Sequence, residues 1–493
     1  MRNPTRAAIV FAAVFCLAFG FTARVVAADA PFPITIMTRT FSGDPIKDDA
    51  QAKRIVEEYC NVKLNIIWVP STSYDDKMNL AIASGDIPMV MLAGSKIPSI
   101  VKAAKEGAFW EIGSYLKDYP NLGRANSITL WNSSFEGKVY GLYSNRPLGR
   151  YGITYRSDWL KNVGFKQPVT IDDFYKMLVA FRDKDPDQNG KADTYGMVVT
   201  KYNGPWKVML TWFGGPNEWG EDATGQLLPS HMHPEYMDAL RFWRKMYTEK
   251  LINDDFAVMD PNKWNDPIFQ NKAGVIVDCI NTVTNKWNTT WEQQKLPYYA
   301  ECMGPIQGPK GLRSQATSGY GSLFLFSRKA IKDVATLKKV LAFEDRMGDR
   351  KMQDTVTYGV EGRNFTMLPG GFVKVNQDPN IPKNELNDLN QILSFIPPTN
   401  QTPQEQKPWV VKYEKQMLDN EPYVVGDPTL AFVSPTMGTK GAQLNTIIED
   451  ARVQFIAGQI DEKGFNDAVA LWRKTGGDQV IKEFNDDYKK VKR

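Results

Sequence analysis

The sequence predicts an α/β protein of two lobes joined by several chain crossings, and three observations carry that reading. Residues 34–94 run strand-like, helix-like, strand-like, helix-like, strand-like, the order of a mainly parallel sheet. A second set of strand and helix stretches starts near residue 150, and a strand-like run at 322–328 follows it. At 493 residues the chain is long enough for two or three domains with sizeable cores.

The elements follow from local pattern. ITIMT (34–38) is rich in β-branched residues, and the next stretch sets Ala52, Ile55, Val56 and Tyr59 at helical spacing. KLNIIWVP (63–70) reads as a strand, SYDDKMNLAIASGD as a helix closed by Gly85, and MVMLAG (89–94) as a third strand. Beyond residue 150, GITYR leads into SDWLKNVGF, where Ser157 or Asp158 caps a helix. IDDFYKMLVAFRDKD and YMDALRFWRKMYTEKLI are amphipathic helices, while AGVIVDCI (273–280) and SLFLFSR (322–328) read as buried strands. The Pro- and Gln-rich segment 396–409 reads as a surface loop, and 441–493 as mostly helical. The expected lobes are 29–150 with 320–370, and 151–319 with 371–493.

The N-terminus reads as an export signal. Arg2 and Arg6 precede an apolar run from Ala7 to Thr22, and the small residues Val26, Ala27 and Ala28 suit cleavage after Ala28. Cys16 follows Val14 and Phe15, not the small residues of a lipid-attachment site, so the expectation is an untethered periplasmic protein. Loss of Arg2, Arg6 and Arg24 brings the formal charge of +4 close to neutral. That balance argues against a nucleic-acid partner, which needs a concentrated basic face. Cys60, Cys279 and Cys302 remain; a Cys279–Cys302 bridge and three buried thiols both fit the composition. His231 and His233 read as part of a polar turn.

Ordered signatures run along nearly the whole mature chain: DDKMNLAIASGDIP (75–88), GKVYGLY (137–143), the stretch 155–196, LTWFGGPNEW (210–219), the stretch from Phe269 to Asp278, GYGSLFLF, YGVEGRNFT and WRKTGGDQVIKEFN. Together they resemble the large extracellular solute-binding proteins of carbohydrate ABC importers, in the branch of LplA-type lipoproteins and alginate-binding periplasmic proteins. The resemblance implies a two-lobed periplasmic-binding-protein fold, with a ligand cleft that closes on a sugar and several hinge crossings. It also implies permease subunits as membrane partners and, for this chain, a monomer.

One loop has the composition of a calcium site. Asp185, Asp187, Asn189 and Asp193 occupy loop positions 1, 3, 5 and 9, Gly190 sits at position 6, and Lys191 offers its carbonyl at position 7. Position 12 is Gly196 where an EF-hand has a bidentate Glu. Proteins this chain resembles carry the loop, often with an acidic residue where Thr194 stands. The expectation is structural Ca2+.

For the sugar, aromatic rings meet C–H faces and planar polar groups meet hydroxyls. The resemblance implies ligand residues in loops after the first strands and near the crossings. The matching positions are Arg39 and Asp44, Ser95 and Lys96, Tyr155 and Arg156, Trp212, Trp287, Tyr320 and Trp409. Arg39 and Arg156 together in a cleft would suit a uronic acid, because the guanidinium fork fits a carboxylate. A secreted carbohydrate-active enzyme is the rival reading; Glu301 and Glu361 qualify only by residue type, and no Gly-x-Ser-x-Gly or His-Glu-x-x-His motif is present. A third reading is a ligand-sensing adaptor for a membrane receptor.

Overall fold

The computed structural model describes residues 30–491 apart from 95, 395, 397 and 398. The expected export signal therefore lies outside the described residues. Nine strands build two sheets: β1 (Phe32–Thr40), β2 (Val62–Pro70), β3 (Val90–Ala93), β4 (Gly141–Asn145), β5 (Tyr151–Arg156), β6 (Tyr195–Met197), β7 (Ala273–Cys279), β8 (Ala300–Met303) and β9 (Tyr320–Phe326).

The first sheet has the order β2-β1-β3-β9-β4. Its first three strands are parallel and joined by helices, as the alternating pattern predicts, and β9 runs antiparallel to both β3 and β4. The second sheet has the order β8-β5-β7-β6, with β5 antiparallel to β8 and β7. The helix Gln51–Cys60 turns Ala52 and Val56 onto the first sheet. The helix Ile171–Asp183 is held at its start by Thr170 and Asp173, each side chain satisfying a backbone N–H of the other.

Each sheet carries its own core. Ile34, Ile36, Val90, Leu142 and Phe324 are buried in the first, with Ile153, Phe174, Leu240 and Val277 in the second. The first core also takes in Leu389, Ile392, Leu393 and Ile396, so the first lobe continues past the expected boundary at 370. The chain reaches the second lobe where the helix Pro408–Asn420 packs on the helix Ile280–Gln293. Sequence pattern misplaced this boundary because, among the described residues of 371–396, the elements are only the short strand Phe372–Val375 and the 3-10 turns Lys383–Glu385 and Leu389–Ile392. Three crossings thus join the lobes among the described residues: 145–151, 315–320, and the segment leading to Pro408.

The three cysteines are free thiols. Cys279 pairs with Tyr151 and Cys302 with Thr154, on opposite sides of β5. Strand spacing then puts them roughly 14 Å apart, about twice what a disulfide spans. His231 packs edge-on against Trp472 at 4.5 Å, and burial pushes its imidazole down to about 3.

Glu344 is buried in the first core, where its Oε2 accepts the Ser394 hydroxyl at 2.9 Å, and burial pushes its pKa up to about 8. The folded state therefore holds a proton that the unfolded chain loses above about 4.5. Stability from this group is full below about 4.5 and falls as pH rises to about 8, by at most about 1.4 kcal/mol per pH unit. Glu344→Gln is expected to flatten that slope in urea unfolding measured from pH 4.5 to 8. An identical slope in the variant would contradict the assignment.

Candidate functional site

Both sheets turn the same kind of edge toward the crossings. In the first, the carboxyl ends of β1, β3 and β4 lie level with the start of β9, since Tyr320 pairs with Asn145 and Leu323 with Ala93. In the second, Tyr151 at the start of β5 pairs with Cys279 at the carboxyl end of β7. The chain leaves one edge at Asn145 and enters the other at Tyr151. Carboxyl edges of α/β sheets are where ligands bind, because the strands end there and loops supply polar groups.

On the first edge, Arg39 and Arg146 line a depression of about 320 Å3 together with Gly321, Ser322, Thr357 and Gln391. Arg39 Nε is buried without a hydrogen-bond partner, and its guanidinium lies 5.4 Å from the ring of Phe41, a side chain 63% exposed. On the second edge, Arg150 donates to Asn281 Oδ1 at 2.9 Å and to Thr282 Oγ1 at 3.0 Å. Burial pushes the Tyr151 hydroxyl and the Cys279 thiol up to about 12, with Arg150 and Arg146 both pulling against the shift. Arg146 of the first lobe thus stands within electrostatic reach of the second. Asp278, buried beside them, accepts the Cys279 N–H through Oδ1, while its Oδ2 has no partner. Burial raises its pKa. The Tyr202 ring, partly exposed, packs edge-on to Trp264 at 5.8 Å.

Of the residues expected from sequence, Arg39 and Tyr320 fall on this edge. Ser95 lies outside the described residues. Asp44 is exposed and holds a neighbouring loop, accepting from Asn384 at 2.6 Å and, through its carbonyl, from Asn387 at 2.9 Å. Lys96 is a tie between lobes. Its Nζ donates to the carbonyls of Asn132 (2.7 Å), Ser134 (2.8 Å) and Leu430. Leu430 belongs to a turn whose Ala431 and Phe432 enter the second core, whereas Asn132 and Ser134 flank the end of a first-lobe helix. Burial pushes the Lys96 ammonium down to about 7, with Asp427 pulling against it.

Five positions need correction. β5 runs away from the crossing, so Tyr155 and Arg156 sit at the far edge of the second sheet. Arg156 is 1% exposed, paired with Asp158, hydrogen-bonded to Asn271 at 2.7 Å, and stacked on Tyr298 at 4.2 Å. Tyr155 is buried beside Glu301. Trp212 is fully buried against Phe174, with ring centroids 5.3 Å apart. Trp287 is fully buried too, donating to Asn265 at 2.8 Å. Trp409 is buried where its helix meets the second lobe, donating to Asn285 at 3.2 Å. Each of these three Trp sits in or beside a helix, where a large apolar side chain buries most area by packing inward. Arg146, Arg150, Tyr151, Tyr202 and Asp278 escaped the sequence reading, although each lies within a few residues of a recognisable strand end.

The acidic loop follows the helix Ile171–Asp183. Asp185, Gln188 and Gly190 take left-handed φ values of 48°, 57° and 75°, which wraps the backbone around the Asp185 carboxylate. That carboxylate accepts the N–H groups of Asn189 (3.0 Å) and Gly190 (2.9 Å). Asp187 Oδ1 is buried and unpartnered; burial and the neighbouring Asp185 and Asp193 raise its pKa. The Asn189 amide donates to Asp187 and Asp193, and Lys272 pairs with Asp193 at 2.6 Å. The Lys191 N–H donates to Asn189 Oδ1. Thr194 turns away to donate to the Phe181 carbonyl at 2.7 Å, so it adds nothing to the loop. Among the described residues no three His, Cys, Asp or Glu side chains converge as a metal site.

Two α/β lobes with facing carboxyl edges and a polar, aromatic-rimmed gap define a solute-binding protein. The pattern of bacterial extracellular solute-binding proteins matches residues 43–294, and the chain belongs to that family, which serves sugar ABC importers. It is 42% identical over 466 residues to lipoprotein LipO of Bacillus subtilis, covering 93% of both chains. It is 31% identical over 474 residues to the polygalacturonan/rhamnogalacturonan-binding protein YtcQ of the same organism, covering 94% of this chain and 93% of that one. Among solved structures, an HMO-binding, ABC-transporter-associated solute-binding protein from Bifidobacterium longum infantis superimposes with a TM-score of 0.70 at 18% identity, over 93% of this chain and 99% of the other. The alginate-binding protein AlgQ2, solved without calcium ion, gives 0.62 at 17% identity over 94% and 98%. These likenesses bear out the two-lobed fold. The name of LipO runs against the expectation of an untethered chain. Among the described residues no helix is long and apolar enough to cross a membrane.

Replacing Lys96 by Met strands three carbonyls, two from one lobe and one from the other. The expected loss is about 1–3 kcal/mol in urea unfolding. A variant as stable as the parent would contradict the role of Lys96 as a tie.

Proposed function

We propose that this protein captures an acidic oligosaccharide, a chain bearing uronate carboxylates, between the two carboxyl edges and passes it to ABC-importer permeases. The observation that carries the reading is the gathering of Arg39, Arg146 and Arg150 at one gap, none of them in an ion pair among the described residues. An unpaired, partly desolvated guanidinium is costly, and a carboxylate that meets its fork offsets that cost with two parallel hydrogen bonds. Phe41 and Tyr202 supply exposed ring faces for sugar C–H groups, and Asp278 Oδ2 is a free acceptor for a hydroxyl. A ligand that touches both edges binds the closed arrangement better and shifts the population toward it. The polygalacturonan/rhamnogalacturonan-binding name of a relative 31% identical supports the same ligand class.

We read the protein as a monomer that is exported, acts in the periplasm and binds its sugar without turning it over. Glu301 is paired with Lys412 at the far edge of the second sheet, and Glu361 stands exposed on the first lobe, so these two do not form an acid–base pair. The acidic loop is proposed to hold Ca2+. The unpartnered Asp187 Oδ1 and the negative charge of Asp185 and Asp193 acting on it support a cation, for which these side chains would draw together, with Asn189 and the Lys191 carbonyl completing the donor set. The ion would supply counter-charge and fix the turn between helix and β6.

Thermal unfolding with trigalacturonate is expected to rise, with maltotriose as the neutral control giving no shift. Arg39→Met and Arg146→Met are each expected to weaken trigalacturonate binding by about 1.5–3 kcal/mol in calorimetric titration. Equal affinity for both sugars would sink the acidic-ligand reading. A chelator is expected to lower the unfolding midpoint of the parent and to leave Asp185→Asn unmoved; a parent insensitive to chelator would overturn the calcium assignment.

A further inference from the structure

The second lobe contains a cavity that the inter-lobe gap does not use. It lies between the helix Gly204–Trp212, the hairpin formed by Trp219–Glu221 and Leu227–Pro229, and the helix Pro435–Ile456. Its volume is about 140 Å3. One water needs on the order of 10–15 Å3 of such space, and pockets for drug-sized ligands start near 300 Å3, so the cavity suits one ring-sized group.

The lining has two characters. Trp206, Trp219, Tyr236 and Trp472 form aromatic walls, each under 9% exposed. Arg452, 8% exposed, lies over the Trp206 ring at 5.5 Å and hydrogen-bonds Tyr236, and His231 Nε2 is buried without a partner. At the mouth Lys207 pairs with Glu218, and Asn203 donates to Glu449 at 2.7 Å. Inside, the Arg452 guanidinium has Tyr236 but no carboxylate in an ion pair among the described residues, and the His231 Nε2 is bare among ring faces. Close packing would normally fill such a space with apolar side chains.

The cavity also adjoins the gap. Asn203 at its mouth follows Tyr202, whose hydroxyl feels the Asp278 carboxyl. Lys207 and Glu218 face Asp427, the neighbour of the Lys96 tie.

We propose that this cavity is a terminal subsite, taking one end unit of the captured sugar chain with its ring between the Trp faces and its polar edge on Arg452 and His231. The proposal rests on the oligosaccharide reading above and adds to it a reason for preferring a chain end over a chain interior. A cavity of about 140 Å3 has room for one ring and not for a run of several, which suits an end unit.

The test uses the full mature chain labelled with 5-fluorotryptophan, its 19F resonances assigned by single Trp→Phe variants, titrated with trigalacturonate while calorimetry follows binding. The expected result is a shift of the Trp206, Trp219 and Trp472 resonances that saturates with the heat. Asn445→Trp, a change at an exposed position on the rim, is expected to abolish those shifts and weaken binding about tenfold. Saturating heat with the three resonances unmoved overturns the subsite and leaves the gap reading intact. Absence of both heat and shifts overturns the two together. Parent-like affinity in Asn445→Trp, with its fold verified by its fluorine spectrum, also counts against the subsite.

Discussion

The site depends on strand direction. Two separate sheets bring their carboxyl edges to one gap because the chain leaves the first at the carboxyl end of β4 and enters the second at Tyr151, level with the carboxyl end of β7. Had β5 run the other way, the crossing would have delivered Arg156 to the gap and sent Tyr151 to the far edge. The remaining crossings reinforce that arrangement. Ser314 and Gln315 pair in parallel with Val424 and Val425, and Asn217 donates to the carbonyls of both Ala316 and Val425. Lys96 joins first-lobe carbonyls to Leu430. These backbone groups of the irregular segments between the lobes are thus paired.

The electrostatics of the gap follow from the same geometry. Arg39, beside the apolar Val69 across the sheet, and Arg146 reach the gap with no ion-pair partner among the described residues, while Arg150 finds only neutral partners in Asn281 and Thr282. In the cores, two buried cations are neutralised in place: Arg156 by Asp158, and Lys53 by Asp48 and Glu57. Arg39, Arg146 and Arg150 differ from these two in having no carboxylate partner among the described residues.

Much of the first lobe was legible because its strands and helices alternate with clean periods, as in Ala52 and Val56 on the helix beneath the sheet. The family was legible from motifs spread along the chain, and the acidic loop from oxygen spacing alone. The individual site residues were far less so. Tyr155 and Arg156 belong to the correct strand, but the direction of that strand relative to the crossing is a tertiary fact that no local pattern carries. Trp212, Trp287 and Trp409 show why aromatic count misleads: each satisfies burial first, and the exposed rings at the gap are Phe41 and Tyr202. The limit of the first lobe was missed because the single short 3-10 turn Leu389–Ile392 buries Leu389 and Ile392 without a run long enough to show a period.

The most direct measurement is a crystal structure of the mature protein with trigalacturonate. A uronate carboxylate is expected within hydrogen-bonding distance of Arg39 and Arg146 on one side, with sugar hydroxyls meeting Asp278 on the other. A sugar bound away from these edges, or one whose carboxylates face solvent while the arginines stand unengaged, would contradict the acidic-ligand reading.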